Sequence, residues 1–274
     1  MRYNSLPQLE KRFKDEAAAF LKPFSIPVPG EPTLILNGQL YSPGHSNYYY
    51  SQQYPKERIV LHFTAGNTLS DMRQLTQKDT HVSVAFVIAR DGTIYQLFPS
   101  GAWSGHIGKG VGNEGTGNSQ DKATIGIEIS NYGYLIPRDG NLETGYSRVK
   151  NPATGVVSAP DPYCTLEQKE AYIKINQPFR DQSYYASYTL PQMESVAILL
   201  RYLTNKYNIP REFLPEEKRF LTTNDVLKFK GIVSHINYRS SGKWDIGPAF
   251  DWNKLILDVK SKEFRKTSTG PATH

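Results

Sequence analysis

The stretch Arg58–Phe63, RIVLHF, followed by Thr64-Ala65-Gly66, decides the fold of this 274-residue chain. A short apolar run of this kind suits a buried strand. Working outward, Thr68–Gln77 reads as a helix with Thr68 or Ser70 near its start, and Val82–Arg90 and Thr93–Phe98 flank Asp91-Gly92, a strong hairpin turn. TIGIEIS (Thr124–Ser130) is a further strand, and Gly231–His235, GIVSH, is another. Between them Met193, Val196, Ala197, Leu200, Leu203 and Tyr207 recur at helical spacing, predicting a core-facing helix over Pro191–Tyr207. A closing helix is predicted over Trp252–Phe264. The class is α/β with a mostly central sheet.

The flanks read differently. Leu6, Leu9, Phe13, Ala17, Phe20 and Leu21 fall on one face of an amphipathic helix with Ser5 as its N-cap. Four prolines from Pro23 to Pro32 then exclude helix and central strand. Leu34–Leu36 and Leu40-Tyr41 around Asn37-Gly38 suggest a small hairpin. Between Tyr134 and Tyr188 no period is clear, so this stretch reads as a long irregular insertion, either a wall or lid of a cleft or a surface excursion. The expected division is an N-terminal helical arm and Pro-rich linker at 1–33, a main domain at 34–266 and a tail at 267–274.

Composition bounds the function. Apolar residues make up 38% and charged residues 21%, which excludes an extended disordered chain. No apolar run reaches the roughly 18 to 20 residues of a membrane span, in line with a mean hydropathy of -0.52. The net charge of +6 favours anionic partners, but the lysines and arginines form no cluster, which argues against nucleic acid. Cys164 is the one cysteine, so no intrachain disulfide forms. The opening MRYNSLPQLEKRFKDE lacks the apolar core of a secretory signal, and location stays open.

Two histidines end apolar strands: His62 in VLHFTAG and His235 in GIVSHINY. Asp245 follows in GKWDIGPAFDW, where Gly247 and Pro248 impose a turn. Taken singly, each has an ordinary reading, as a half-buried core histidine or a turn-forming aspartate. Together they are three borderline ligands, the number a catalytic zinc site needs beside an open position. Glu128 alternates with Ile127 and Ile129, so it either faces water at an edge or points into a site where burial raises its pKa toward general-base duty. Lys243, two residues before Asp245, lies on the same side of an extended segment. It is either a solvated lysine or an oxyanion-stabilising ammonium.

In this order, VLHFTAG, VSVAFVIARDGTIYQLFP, TIGIEISNYG, IVSHINY and GKWDIGPAFDW resemble the zinc-dependent N-acetylmuramoyl-L-alanine amidases, a family that includes phage amidases and peptidoglycan recognition proteins. The similarity runs from about Glu57 to Trp252. The resemblance implies an α/β fold with a mixed central β-sheet flanked by helices and a zinc cleft on one side, Zn2+ held by His62, His235 and Asp245, a catalytic Glu128 and an oxyanion-stabilising Lys243. Thr64, Trp103, His106 and Asn131 are the candidates for the substrate cleft. Departures are Ala85 where a histidine is common, two extra residues in the Trp103–His106 element, and Ile246 where a proline is usual. Some members use a cysteine as third ligand, but Cys164 lies inside the insertion and reads as a plain thiol.

The implied activity is hydrolysis of the amide between N-acetylmuramic acid and L-alanine, by a monomer acting on peptidoglycan or muropeptide. The wall itself, reached through export or lysis, and recycled fragments in the cytoplasm are both compatible sites of action. A non-catalytic peptidoglycan-binding module on the same fold is the alternative. Occupied ligand positions and the acidic residue at 128 favour the enzyme.

Overall fold

The structure, a computed structural model, describes residues 1–38 and 47–264. Its central sheet has seven strands in the order β1-β2-β5-β4-β6-β3-β12. These are β1 (Pro23–Ile26), β2 (Leu34–Asn37), β3 (Arg58–Phe63), β4 (Phe86–Ile88), β5 (Ile94–Gln96), β6 (Thr124–Ile129) and β12 (Gly231–Ser234). Strands β12, β3, β6 and β4 run parallel, β5 is antiparallel to β4, and β1 is antiparallel to β2. All six residues of β3 are buried, as expected of a parallel strand covered on both faces. Its residues divide by parity: Ile59, Leu61 and Phe63 join the large core, whereas Val60 joins Ile107, Val226, Val233 and Tyr238 in a smaller one. His62 has the parity of Val60.

Among the described residues six α-helices accompany the sheets: α1 (Arg2–Ala17), α2 (Thr68–Leu75), α3 (Ser119–Ala123), α4 (Leu190–Tyr207), α5 (Glu216–Arg219) and α6 (Trp252–Lys260). Helix α4 starts on a capping box in which the Thr189 hydroxyl accepts from Gln192 N and the Gln192 amide oxygen accepts from Thr189 N. It buries Val196, Ala197, Leu199, Leu200 and Leu203. The closing helix stops at Lys260 rather than Phe264.

The stretch expected to be irregular is a second sheet. Its strands are β7 (Tyr134–Arg138), β8 (Asn141–Thr144), β9 (Pro162–Thr165), β10 (Tyr172–Phe179) and β11 (Gln182–Ala186), all antiparallel in the order β10-β11-β7-β8-β9. Register shifts in β8 and β10 break the two-residue period, and the residues of β10 stay partly or largely exposed, so the alternation never shows. The sheet has its own core of Leu135, Leu142, Tyr163, Cys164, Ala171 and Ala186. Cys164 is a buried free thiol there, away from the histidines.

The N-terminal segment also departs from expectation. Helix α1 begins at Arg2, and the Ser5 hydroxyl donates to Arg2 O inside its first turns instead of capping it. Phe20 and Leu21 lie beyond its end. Leu6 packs into the core of the second sheet while Phe13 and Ala17 pack into the central core, so the helix ties the two sheets together. Within the Pro-rich stretch, β1 is an edge strand, where proline is tolerated. Glu31 is held there by the guanidinium groups of Arg201 and Arg211. Of the hairpin suggested around Asn37-Gly38, residues 40 and 41 lie outside the described residues, as does the tail at 267–274. Phe13 is 6% exposed and meets the Tyr95 ring edge-on at 5.2 Å. Phe13→Ala should therefore cost about 3–5 kcal/mol, the usual cost of emptying an aromatic core position. Urea unfolding measures it, and a loss under about 1 kcal/mol would mean the helix is a detachable appendage.

Candidate active site

Register alone places three candidate site residues in a row. In the parallel pairing of β3 with β6, His62 sits opposite Glu128. In that of β12 with β3, Ser234 sits opposite Leu61, so His235 leaves its strand beside His62. The row lies at the carboxyl ends of three adjacent parallel strands, the usual place for a site in such a sheet. Asp245 arrives on the loop after β12, where its carbonyl accepts from Ile236 N at 3.0 Å. The following peptide bond is cis, and Ile246, the residue in place of the usual proline, is buried in the central core.

His62 Nδ1 lies 2.9 Å from His235 Nδ1 and 3.2 Å from Asp245 Oδ2, and His235 Nδ1 lies 2.8 Å from Asp245 Oδ2. Ligands about 2.0–2.1 Å from a tetrahedral zinc ion stand roughly 3.3 Å apart, so this triangle of two nitrogens and one oxygen has the dimensions of one face of such a site. Burial, with the neighbouring His235 imidazole adding to it, holds His62 well below its ordinary pKa. Burial alone would raise Asp245, but the two imidazoles outweigh it and keep the carboxyl far below the usual carboxylate range. A neutral imidazole and an ionised carboxylate are the states a metal ligand needs.

The outer nitrogens are committed too. His235 Nε2 donates to Ile107 O at 2.8 Å. His62 Nε2 meets His106 Nδ1 at 3.0 Å, His106 Nε2 meets Thr124 Oγ1 at 3.0 Å, and Thr124 Oγ1 donates to Gln120 O at 2.6 Å. Since the carbonyl only accepts, each group of the relay donates outward, the arrangement in which both histidines would offer Nδ1 to a metal ion in place of the Asp245 contact. Burial lowers His106 to about 4, so at neutral pH its Nδ1 remains an acceptor. One short segment supplies both supports. It is anchored by Asp121, whose Oδ1 accepts from His106 N at 2.8 Å and Ile107 N at 2.9 Å. Gly126 leaves room for this, since a Cβ there would stand 3.0 Å from the His106 ring.

Glu128 is different from its neighbours in having no partner: its Oε2 is buried and makes no hydrogen bond. Burial pushes its carboxyl well up, the Asp245 charge adds to this, and the Lys243 ammonium opposes it. Glu128 opens onto a cleft of about 420 Å³ lined also by Thr64, Ala65, Gly66, Asn67 and Asp71. Tyr146 and Asp161, on the connection between β8 and β9, and Arg2 of α1 line it too. Asp71 is pushed up to about 7 by burial, against the hydroxyls of Ser130, Thr64 and Ser70.

Of the cleft candidates, Thr64 lines the cleft. His106 is the support of His62, with both ring nitrogens already used. Asn131 is buried, donating to Ala186 O and Ser187 O and accepting from Gly133 N, so it pins the junction of the two sheets. Trp103 stacks on Tyr50 at 4.2 Å with Lys122 over its ring, away from the cleft lining. Sequence reading missed Asp71, Tyr132, Asp161 and Arg2. The signal at Asp71 was the capping box between Asn67 and Ser70 just before it, which fixes the first turn of α2.

Two imidazoles and a carboxylate beside an unpaired acid form the kind of site that metal-dependent hydrolases use. The sequence profile of the N-acetylmuramoyl-L-alanine amidases matches residues 52–248, and the chain belongs to that family. No curated protein matches the chain. Among solved structures, it is similar to the amidase AmiD from E. coli in complex with anhydro-N-acetylmuramic acid-L-Ala-D-gamma-Glu-L-Lys, at 19% identity and a TM-score of 0.43 over 75% of this chain and 58% of AmiD. It is also similar to PlyL, at 14% identity and a TM-score of 0.45 over 83% of this chain and 97% of PlyL. A third is the amidase LysC from Clostridium intestinale, at 16% identity and a TM-score of 0.39 over 80% of this chain and 93% of LysC.

Because His106 orients His62, His106→Phe should weaken divalent-metal binding about 10- to 100-fold, as loss of an outer hydrogen bond usually does. Competition with a chromophoric chelator measures it. Unchanged affinity would show that His62 is oriented without that partner.

Proposed function

We propose that the chain hydrolyses the amide bond between N-acetylmuramic acid and L-alanine of peptidoglycan, with zinc held by His62, His235 and Asp245. The observation that carries this reading is Glu128, half-buried at the cleft with its Oε2 buried and without a hydrogen-bond partner, in register with His62 on one face of the sheet. A zinc ion so held supplies Lewis acidity toward water and a carbonyl oxygen. Glu128 takes a proton from the attacking water on Oε2, its raised proton affinity suiting it to hold that proton. It then delivers the proton to the departing alanine nitrogen, so that water's hydrogen and hydroxyl end on amine and lactyl carboxyl. Lys243 offsets the negative charge that develops on the carbonyl oxygen.

The cleft receives the substrate along Thr64–Asn67, with Tyr146, Asp161 and Arg2 facing it. Muropeptide is the partner, the working form is a monomer, and nucleic acid is not a ligand. No helix among the described residues is long and apolar enough to cross a membrane. A binding module has no use for an unpaired buried acid, whose desolvation it would carry without return.

Glu128→Gln should lower kcat by about 10²- to 10⁴-fold while leaving zinc content unchanged. Release of stem peptide from purified sacculi or muropeptide, followed chromatographically, reads the first, and elemental analysis the second. Near-normal turnover would remove Glu128 from the mechanism. A chelator should abolish release and added zinc restore it. The pH profile gives a further outcome: Glu128 must be ionised to accept a proton, so activity is lost as pH falls through its pKa. Lys243 lowers that pKa, so Lys243→Met should move the acid limb to higher pH as well as reduce kcat. An unmoved acid limb would separate Lys243 from Glu128.

A further inference from the structure

We propose that Arg180, at the tip of the β10–β11 hairpin, is a positioning residue that clamps the loop carrying Lys243 and Asp245. This rests on the site reading above and adds to it a function for the second sheet. The loop from Arg239 to Trp244, RSSGKW, contains Ser240, Ser241 and Gly242, with Gly242 at φ +66°, and nothing in its composition stiffens it. The Arg180 guanidinium spans it, one nitrogen donating to Lys243 O and the other to Arg239 O at 3.0 Å. The loop answers with the Trp244 indole, whose Nε1 donates to Arg180 O at 3.1 Å. A planar fork bonded to carbonyls at both ends of a loop fixes its closure in a way that a single ammonium does not.

The surroundings are built around this contact. Phe179 lies over Gly247 so closely that a Cβ there would stand 3.0 Å from its ring. Tyr134 of β7 packs on Trp244 at 4.4 Å between ring centres. Tyr185 donates to Phe179 O at 3.1 Å, holding the hairpin tip. The tip is also strained: Arg180 and Asp181 both have positive φ, at 49° and 66°, a tight turn that Asn-Gly would form more easily. Non-glycine residues persist in that region when the surroundings over-determine them, often where function needs the geometry. At position 180 the side chain, not the turn, is the reason for arginine.

The test compares Arg180→Gly, Arg180→Lys and the parent protein. Glycine relieves the turn, so the hairpin folds at least as readily while the fork is lost. Arg180→Gly should bind zinc 10- to 100-fold more weakly by chelator competition. In metal-free protein it should speed amide exchange at 239–245 while leaving β3 and β6 protected. Arg180→Lys should fall between the two. Parent-like zinc affinity and parent-like exchange in Arg180→Gly would overturn the clamp, as would equal loss of protection across β3 and β6, which marks a general structural role. A parent protein that binds no zinc would instead overturn the site reading, and exchange at 239–245 would still decide the clamp.

Discussion

The parallel register of β12, β3 and β6 is the constraint on which the site depends. A strand's side chains alternate faces, so a slip of one residue in β6 would turn Glu128 into the hydrophobic core and bring Ile127 or Ile129 beside His62. That slip is resisted by the core itself. Ile125, Ile127 and Ile129 are buried in the large cluster with Ile59 and Leu61 of β3, and each of the three would have to leave it. Packing on one side of the sheet thus fixes chemistry on the other. Arg58 reinforces the register from the same face as His62, bonding Tyr238 Oη, Phe229 O and Gln120 Oε1 across three neighbouring segments.

Around that row, the structure sorts its ionisable groups by giving partners to some and withholding them from one. His62 and His235 have each outer nitrogen tied to a support, and Asp245 sits against both rings, so the orientation of all three side chains is set by the fold. Glu128 is left unpaired in the same buried neighbourhood. Its proton affinity is therefore set by burial and by the opposing pulls of Asp245 and Lys243, so two carboxyl groups of one buried neighbourhood are driven in opposite directions.

Much of this was legible in the sequence. The apolar runs of β3, β6 and β12 and the helical period of α4 are strong because each element buries most of its residues, leaving little ambiguity of period. The second sheet was not legible, since it buries a small core, shifts register in two strands, and leaves β10 half in solvent. His106 and Asn131 were misplaced for a different reason. Residue type announces a polar side chain able to meet substrate, but their bonding capacity is spent on His62, Thr124, Ala186 and Ser187, which are distant in sequence. Only folding reveals which donors are already occupied.

The segments that looked additional to the domain turn out to complete it. Helix α1 places Leu6 in one core and Phe13 in the other, and its first residue, Arg2, pairs with Asp161 in the lining of the cleft. The β8–β9 connection lines that cleft together with residues that follow β3, and the β10–β11 hairpin reaches the loop of Asp245. A carboxylate on a glycine-containing loop is entropically expensive to hold, because every residue between Arg239 and Asp245 has to be ordered before it can meet both imidazoles. Contacts from a separate sheet reach this loop at Arg239 and Lys243, while Ser240–Gly242 between them stay exposed. That division explains how a loop without the usual proline can still present its ligand in register with two strands it does not pair with.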